Sequence, residues 1–271
     1  MEKLKLIKYP RTPHIEGSRL QPGDEDLSQI PFKVIKGKYI VVEEKIDGAN
    51  TAISFSDDGE LMLQSRGHYL EGGYREKHYN LLKQWASVQK DSLYSVLGSR
   101  YIMYGEWLYA KHTVYYDMLP HYFLEFDILD RSTGRYLDTD SRHKLLKDLP
   151  VCSVPVLKKG VFQSREELVK LLGRSNYISD SHLDNLREES EKLGLDAERQ
   201  LRETDASQLM EGLYIKVEEN GEVVDRMKYV RASFLQTVDL SETHWLERPI
   251  VPNKISVPIE KLFEADYETN K

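Results

Sequence analysis

The period of the hydrophobic pattern changes along the chain, and the changes separate predicted strands from predicted helices. Residues 38–45 are rich in β-branched residues and predict a strand, and residues 51–56 predict a second one. The residues from Asp57 to Glu60 predict a hairpin turn into a third strand over residues 61–66. Its Asp-Gly pair supplies the positive φ angles that such a tight turn requires.

Helical spacing replaces the strand pattern over residues 75–97, which predicts one helix or a pair of helices. Strands resume at residues 101–108 and 122–129, and a turn-prone run follows at residues 131–134. The first 38 residues carry a different signal, because prolines and a glycine interrupt them and predict an irregular arm. These residues are Pro10, Pro13, Pro22, Gly23 and Pro31.

The rest of the pattern contains a helical region and a hairpin. Residues 141–209 are mainly helical in pattern, and Ser164 with Glu167 has the form of a capping box. Asn220-Gly221 separates two strand-like runs and predicts a two-residue hairpin turn. This order of elements predicts an α+β fold with antiparallel sheets, and it argues against a parallel doubly wound sheet.

Composition narrows the class of protein. The 271 residues are 40% hydrophobic and 31% charged, as in soluble globular proteins. Cys152 is the single cysteine, which excludes a disulfide framework and a multi-cysteine zinc site and favours a reducing compartment. Its apolar surroundings favour a buried structural thiol over a nucleophile. No stretch has the apolar length of a membrane span, and we expect a cytoplasmic protein.

The net charge of −7 argues against a protein that coats nucleic acid by charge alone. Local basic clusters at Lys111-His112 and residues 226–231 are then the expected contacts for RNA phosphates.

Candidate chemistry begins at Glu44-Lys45-Ile46-Asp47-Gly48, which has the K-x-D-G form of covalent nucleotidyltransferases. Alone this match is weak, because a strand that ends in an Asx-type turn explains it equally well. A series of further motifs follows in one order, each on a predicted strand or strand end. The series is Ser65-Arg66-Gly67, Gly105-Glu106, Phe126-Asp127, the run from Glu211 to Lys216, and Arg226-Met227-Lys228.

With this series the sequence resembles the RNA ligase branch of the superfamily that also contains DNA ligases and mRNA capping enzymes. The resemblance runs from about residue 41 to residue 231. It implies a nucleotidyltransferase fold of antiparallel sheets flanked by helices, with a central ATP cleft. It also implies an adenylyltransferase domain over residues 1–240, with the arm as residues 1–38, and a C-terminal extension over residues 241–271 that is not a separate domain.

The resemblance assigns roles to the motif residues. Lys45 would attack the α-phosphate of ATP, and a lysine must first lose its proton to do so. We expect Lys216, Lys228 and a bound Mg²⁺, with Mn²⁺ as an alternative, to lower the pKa of Lys45. Glu106 and Glu211 would hold the metal and the ribose hydroxyls. The remaining nucleotide contacts that we expect are Glu44 at the base, Phe126 stacked on adenine, Arg66 on the sugar and the RNA 5′-phosphate, Asp47, and Arg226.

The implied function is an ATP-dependent RNA ligase that joins a 3′-hydroxyl to a 5′-phosphate through lysyl-AMP and an adenylylated RNA end. RNA repair, with end-healing kinase or phosphatase enzymes as partners, is the expected setting. DNA ligases and capping enzymes are alternatives, but they add an OB-fold, for which the residues after 231 are too few. An inactive nucleotide-binding or RNA-binding relative is another alternative. Arg226 stands where the family usually has lysine, so the phosphate contact among Arg226, Lys228 and Arg231 stays open.

Overall fold

The computed structural model describes residues 5–20, 24, 28–239 and 249–264. Pro22, Gly23 and residues 241–248 and 265–271 of the predicted extension at residues 241–271 lie outside these residues. Among the described residues the strands are β1 (Tyr39–Lys45), β2 (Ala49–Phe55), β3 (Leu61–Ser65), β4 (Tyr101–Trp107), β5 (Phe123–Asp130), β6 (Arg135–Leu137), β7 (Cys152–Ser153), β8 (Val156–Val161), β9 (Gly212–Glu219) and β10 (Glu222–Val230).

The helices in the same residues are α1 (Asn80–Val88), α2 (Lys90–Leu97), α3 (Thr139–Leu146), α4 (Arg165–Val169), α5 (His182–Lys192), α6 (Ala197–Arg202) and α7 (Ala232–Asp239). Short 3-10 helices span Phe32–Val34, Tyr74–Tyr79 and Ile259–Phe263. The α+β class is confirmed. The predicted helical pair is confirmed as α1 and α2, and the Asn220-Gly221 turn is confirmed with φ angles of 54° and 85°.

One sheet runs in the order β3-β2-β4-β5-β6-β10-β9-β1-β8, and β7 pairs with β5 in parallel. The other pairings are antiparallel, as the hairpin signals predicted. In the described part of the chain, backbone pairing connects the two halves through residues 135–137 of the short strand β6, which pairs with the ends of β5 and β10. The sheet therefore consists of a β3-β2-β4-β5 half and a β10-β9-β1-β8 half that face each other across a narrow connection.

Alternation along β1, β9 and β10 separates a core face from a polar face. Ile40, Val42, Leu213, Ile215 and Met227 are buried in one hydrophobic cluster. The alternate positions on the same strands carry the charged side chains of the motifs. In the other half a larger cluster contains Trp85 and Leu93 from the helices together with Ile53, Met103 and Phe123 from the strands.

The expectation of a mainly helical region over residues 141–209 was wrong in part. Residues 156–161 form β8, which pairs with β1 at the end of the sheet order. Its sequence, VLKKGV, contains two lysines and a glycine, which are poor strand formers, and much of it is exposed. Lysines on an edge strand discourage pairing with other chains. Because lysines replace apolar residues here, this strand has little hydrophobic pattern from which it could be predicted.

Two segments outside the strand halves are fixed by backbone hydrogen bonds. In the arm, Ile15 N–H donates to the Lys228 carbonyl (2.9 Å), and Lys228 N–H donates to the Pro13 carbonyl (2.9 Å). Residues 249–264 lie along the segment after β4, where Asn253 N–H donates to the Tyr109 carbonyl (2.8 Å). Among the described helices, none has the length and apolar character needed to cross a membrane.

Candidate active site

The end of β1 brings Lys45 beside Glu211. Lys45 is the last residue of β1 and pairs with Gly212, the first residue of β9, so the residue before Gly212 lies next to the lysine. The Lys45 Nζ lies 2.7 Å from a Glu211 carboxylate oxygen. Glu211 is buried, whereas the Lys45 side chain retains 20% exposure. The lysine thus has one anchored partner and one open side.

Glu106 approaches the same point from the other half of the sheet. It lies on β4 opposite Asn50 of β2, and β2 follows the K-x-D-G turn directly. Burial, the major cause, raises the pKa of Glu106 to about 8, and the charges of Glu211 and Asp47 raise it further while Lys45 lowers it. Burial likewise raises the pKa of Glu211 to about 7, against the lowering effect of Lys45. The two carboxyl groups therefore hold protons up to neutral pH, and they repel each other once both are ionised.

The pKa of Lys45 is raised, and the expectation that protein cations lower it was wrong for this arrangement. Burial by itself lowers the pKa of the amine, but Glu211, Glu106 and Asp47 together raise it more. Lys228 shows the reverse result, because burial and the charge of Lys45 lower its pKa. The two lysines thus repel each other. This repulsion helps to lower the pKa of Lys228, whereas the pKa of Lys45 stays raised.

Other predicted residues line the same cleft. Phe126 on β5 is half-buried, and its ring lies 5.0 Å from the Tyr9 ring, edge to face. The Glu44 carboxylate is buried and accepts a hydrogen bond from the Asn176 side chain (3.1 Å). Arg66 is exposed just after β3 and lowers the pKa of Glu106 by its charge.

Asp47 fixes the loop after β4. Its Oδ2 accepts hydrogen bonds from the backbone N–H groups of Thr113 (2.8 Å) and Val114 (2.9 Å). The Asp47 N–H donates to the Tyr116 hydroxyl (2.9 Å). One motif aspartate therefore ties the end of β1 to a wall of the cleft.

Two motif glycines allow close approach of neighbouring chain segments. A Cβ at position 48 would lie 2.6 Å from a Leu108 methyl carbon and 2.8 Å from the Trp107 carbonyl oxygen. A Cβ at position 212 would overlap the Tyr229 carbonyl oxygen. Larger side chains at either position would push β1 and β9 away from their neighbours, and with them Lys45 and Glu211.

Lys216 and Arg226 are not brought to Lys45. The Lys216 Nζ is fully buried 2.8 Å from Glu43 and 3.2 Å from Asp127, and it donates to the Phe126 carbonyl. The Arg226 guanidinium lies 3.9 Å from the Tyr136 ring centroid and 3.8 Å from Asp127. Five residues of extended strand cover roughly 16 Å, which separates Lys216 from Glu211 within one motif.

The basic cluster expected at residues 226–231 is not an exposed patch. Arg231 is buried, donates to the Met210 carbonyl (2.7 Å) and contacts Asp205. The Lys111 Nζ, also buried, donates to the His112 carbonyl (3.0 Å). Lys228 does lie at the cleft, where it contacts Asp24.

The cleft has a volume of about 1770 Å³. This exceeds the roughly 300–1,000 Å³ that encloses one small ligand. It leaves room for a nucleotide and a second substrate group beside it. Its lining includes Glu44, Lys45, Asp47, Arg66, Glu106, Phe126, Glu211 and Lys228.

The side chains of this cleft could hold a divalent cation only if waters or substrate phosphates completed its coordination shell. Among the described residues, no three or more His, Cys, Asp or Glu side chains are grouped to hold a metal ion. Mg²⁺ commonly takes one or two protein carboxylates and completes its shell with waters and substrate phosphates. Glu106 and Glu211, with repelling charges and raised pKa values, match that donor set.

Comparison with known proteins identifies the family. The family model described as RNA ligase matches residues 38–230, which is most of the chain. The chain belongs to the RNA ligase family. No curated protein matches the chain.

Solved structures support the fold of this RNA ligase family member. A structure of the Naegleria gruberi RNA ligase with PPi is 19% identical, with a TM-score of 0.55, and the match covers 86% of this chain and 58% of that one. A mutant of the same enzyme with ATP and Mn is 16% identical, with a TM-score of 0.54 and coverage of 87% and 59%. The chain therefore spans less than two thirds of these relatives. The nucleotidyltransferase fold is confirmed, as an open sheet without an OB-fold barrel in the described residues.

Several residues in and beside this cleft had no signal in the sequence. Arg11, His14 and Asp24 come from the irregular arm, where Arg11 and His14 contact Asp24, and Asp24 contacts Lys228. Asn176 reaches Glu44 from a loop that is 132 positions away. Such contacts depend on the path of segments without periodicity, and only the folded chain reveals them.

Proposed function

We propose that this chain is an ATP-dependent RNA ligase that joins an RNA 3′-hydroxyl to a 5′-phosphate through a lysyl-AMP intermediate on Lys45. The observation that carries the proposal is the Lys45 amine, held 2.7 Å from Glu211 with one side open to the cleft. Membership of the RNA ligase family supports the substrate class. RNA repair with end-healing enzymes remains part of the proposed setting.

In the first step Lys45 gives up a proton and its nitrogen bonds to the α-phosphorus of ATP, while the bond to pyrophosphate breaks. Because the pKa of the amine is raised in the protein, an acceptor for this proton is needed. The Glu211 oxygen already accepts a hydrogen bond from the amine, and its own raised pKa of about 7 suits it to take the proton.

Two further transfers complete the reaction. An oxygen of the RNA 5′-phosphate bonds to the phosphorus of AMP as the bond to the Lys45 nitrogen breaks, and the lysine recovers a proton. The RNA 3′-hydroxyl then loses its proton and attacks the 5′-phosphorus, and AMP departs. Arg66, exposed at the cleft, is the proposed contact for the 5′-phosphate, because its guanidinium matches two phosphate oxygens at once.

The nucleotide would lie with its adenine against Phe126 and its base edge toward Glu44, both on the cleft wall. Asp47 would act through the loop that it braces. Glu106, and Glu211 through the oxygen that does not take the proton, would hold a divalent cation, Mg²⁺ or Mn²⁺, whose charge stabilises negative charge on the phosphates when it is bound. Lys228 would contact phosphate directly. Lys216 and Arg226 would act by position, since they brace the strand that carries Phe126.

Labelling with ATP tests the proposal. The chain is incubated with ATP labelled at the α-phosphate and with Mg²⁺, and the label that stays on the denatured polypeptide in alkali and is lost in acid, as a phosphoramidate bond requires, is measured. Lys45→Ala should abolish the label, whereas Lys33→Ala, which removes an exposed lysine, should not change it. A labelled Lys45→Ala variant would contradict the site, and an unlabelled wild-type chain would favour an inactive nucleotide-binding relative.

Sealing assays then test the substrate. Nicked duplexes, stem-loops and single strands, with RNA or DNA on each side of the break, separate an RNA ligase from a DNA ligase. A phosphodiester formed from an RNA 3′-hydroxyl and an RNA 5′-phosphate, with release of AMP, is the expected product. Sealing of DNA alone would reject the proposed substrate class.

A further inference from the structure

A segment near the C-terminal end of the described chain lies against the cleft, beyond the residues that the family model matches. We call residues 249–257 the C-terminal strap. Pro249 and Ile250, at its start, line the cleft. Val251 is buried in a small hydrophobic cluster with Leu186 of α5, which anchors the strap from the other side. The strap is therefore a packed part of the site, and the motifs assign it no role.

The C-terminal strap pairs with both sides of the β4–β5 loop, which spans residues 108–122. Isolated backbone bridges join Ala110 to Pro252 and Leu119 to Ile255. The structure describes the whole loop, which contains neither a helix nor a strand. Because the loop has no regular hydrogen-bond pattern of its own, its conformation depends on the segments that contact it.

Asn253 lies between the two sides of the loop and uses all of its polar groups there. Its side-chain Nδ2 donates to the Leu108 carbonyl (2.7 Å), and its Oδ1 accepts the Tyr116 N–H (2.9 Å). Its backbone N–H donates to the Tyr109 carbonyl (2.8 Å), and its carbonyl accepts the Tyr122 hydroxyl (2.8 Å). Asn253 is buried, so water cannot replace a lost partner without cost.

An amide side chain suits this position better than other side chains of its size. The loop presents a carbonyl, which needs a donor, and an N–H group, which needs an acceptor. Asparagine supplies both from one planar group, whereas an ionised aspartate has no donor and leucine has neither. The strap thus fixes the distance between the two sides of the loop.

The side of the loop that Asn253 holds also holds Asp47. Tyr116, whose N–H bonds to Asn253, accepts the Asp47 N–H at its hydroxyl (2.9 Å). Two backbone N–H groups of the same loop donate to the Asp47 carboxylate. Asp47 lies two residues after Lys45, in the turn that follows β1. A shift of the loop would therefore displace this turn and the lysine at its start.

We propose that Asn253 is a positioning residue for adenylyl transfer, which sets the place of Lys45 through the β4–β5 loop and Asp47. The inference rests on the proposed function, because it concerns the attack of Lys45 on ATP. Such an attack is sensitive to displacements of about 1 Å. The proposed adenine contacts, Glu44 and Phe126, lie on β1 and β5 and not on the loop. Loss of the Asn253 contacts should therefore slow the transfer and leave ATP binding almost unchanged.

Asn253→Asp tests this role, because it keeps the size of the side chain and one acceptor but removes the donor to Leu108. Formation of lysyl-AMP by the full chain is followed in single turnovers over a range of ATP concentrations. The maximal rate per folded molecule should fall about tenfold to hundredfold, with nearly constant half-saturating ATP. Ser256→Ala is the matched control. It removes another hydrogen bond between strap and loop, to the Leu119 carbonyl (3.2 Å), and should leave the rate unchanged.

Tyr116→Phe tests the same route without a change in the strap, because it removes the hydroxyl that accepts the Asp47 N–H. It should slow the transfer about threefold to tenfold. The double variant with Asn253→Asp should be no slower than the slower single variant, since both changes act through Asp47. Effects that multiply would mean that the two residues act independently, and they would overturn the proposed route.

A role in stability alone predicts a different result. Asn253→Asp would then lower the melting temperature and leave the rate per folded molecule unchanged, which would overturn the inference. Equal rate effects of Asn253→Asp and Ser256→Ala would also overturn it, as would a change confined to half-saturating ATP. If Asn253→Asp does not fold, an unchanged rate in Tyr116→Phe overturns it.

Failure of the inference is distinguishable from failure of the proposed function. An unlabelled wild-type chain would reject adenylyl transfer itself and, with it, a role of Asn253 in that step. A labelled wild-type chain whose rate is the same in Asn253→Asp and Tyr116→Phe would keep the proposed function and reject the inference alone.

Discussion

Two clusters of charged side chains, built from the same residue types, lie on neighbouring parts of the sheet and differ in balance. The cleft cluster consists of Lys45, Asp47, Glu106 and Glu211. The buried network consists of Glu43, Glu125, Asp127, Arg142 and Lys216, all with fully buried side chains. In the network Arg142 lies 2.5 Å from Glu43 and 2.6 Å from Glu125, and Lys216 lies between Glu43 and Asp127.

The cleft cluster and the buried network differ in the balance between carboxylates and cations. In the network each carboxylate faces a cation, and Arg226 adds a further one near Asp127. In the cleft three carboxylates face one amine, and the pKa values of Glu106 and Glu211 are raised to about 8 and about 7. The network needs no further charge, whereas the excess of carboxylates over lysine in the cleft cluster is offset in part by protons, as the raised pKa values of Glu106 and Glu211 indicate. Glu43 belongs to the network and Lys45 to the cleft cluster, although the two lie only two residues apart on one face of β1. Position along this strand therefore decides to which cluster a side chain belongs.

The largest effect expected is on stability, from Arg142→Met. Removal of Arg142 leaves Glu125 buried without its cation and Glu43 with Lys216 alone, and loss of one partner of a buried pair costs about 3–5 kcal/mol. The free energy of unfolding, measured by urea denaturation, should fall by that amount. Arg100→Met is the control, because Arg100 pairs with Asp130 from an exposed position and its loss should matter far less. Equal losses in the two variants would remove the distinction between the clusters.

The next effect concerns metal binding to the cleft cluster. Protons on Glu106 and Glu211 compete with a divalent cation, so the affinity for Mn²⁺ should rise as pH passes through 7 and 8. The expected gain between pH 6 and pH 8 is roughly tenfold or more, measured from free Mn²⁺ by electron paramagnetic resonance. Glu106→Gln should flatten the pH dependence, whereas Glu60→Gln, at an exposed position, should retain it. An affinity that is independent of pH in the wild-type chain would show that these carboxylates do not bind the metal.

A smaller effect is expected on the stability of the metal-free chain in Glu106→Gln. The folded pKa of about 8 lies above the ordinary 4.5, so ionisation in the cleft costs stability as pH rises through 8, and no such cost exists below pH 4.5. Glutamine avoids that cost. The variant should gain about 1 kcal/mol over wild type between pH 6 and pH 9 in thermal melts. A variant that loses stability at pH 9 would show that the glutamate is well solvated.

The hairpins and the central strands were predictable because local chemistry determines them. Asn220-Gly221 and Gly59 adopt the positive φ angles that the turn signals required, and the β-branched run before Lys45 formed β1. Strand β8 was missed because its order comes from pairing with β1 and not from its own residues. The same holds for Arg142, which lies on a helix without a strong apolar stripe and is recognisable only by the two carboxylates that it contacts.

The motifs correctly predicted that Lys45, Glu106 and Glu211 lie together, since β1 pairs with β9 at Lys45 and the strand that follows the Lys45 turn, β2, pairs with β4 at Glu106. They misplaced Lys216 because sequence adjacency to Glu211 is not proximity along an extended strand. The predicted direction of the Lys45 pKa shift was also wrong. The motif does not show that the carboxylates of Asp47 and Glu106 affect this pKa more strongly than the distant Lys216 does. Arm residues such as Arg11 carry no periodic signal at all.

The smallest effect expected is from Lys159→Ala, which tests burial on the helix that also carries Arg142. Lys159 on β8 contacts Asp140 of α3, but Asp140 is 80% exposed and only two residues from the buried Arg142. An exposed pair of this kind contributes a few tenths of a kcal/mol, and salt screens it. Urea denaturation in low and high salt should therefore show a small loss at low salt that disappears at high salt. A loss comparable to that of Arg142→Met would mean that α3 docks through its exposed pair as much as through its buried one, and burial would no longer explain the contrast between the clusters.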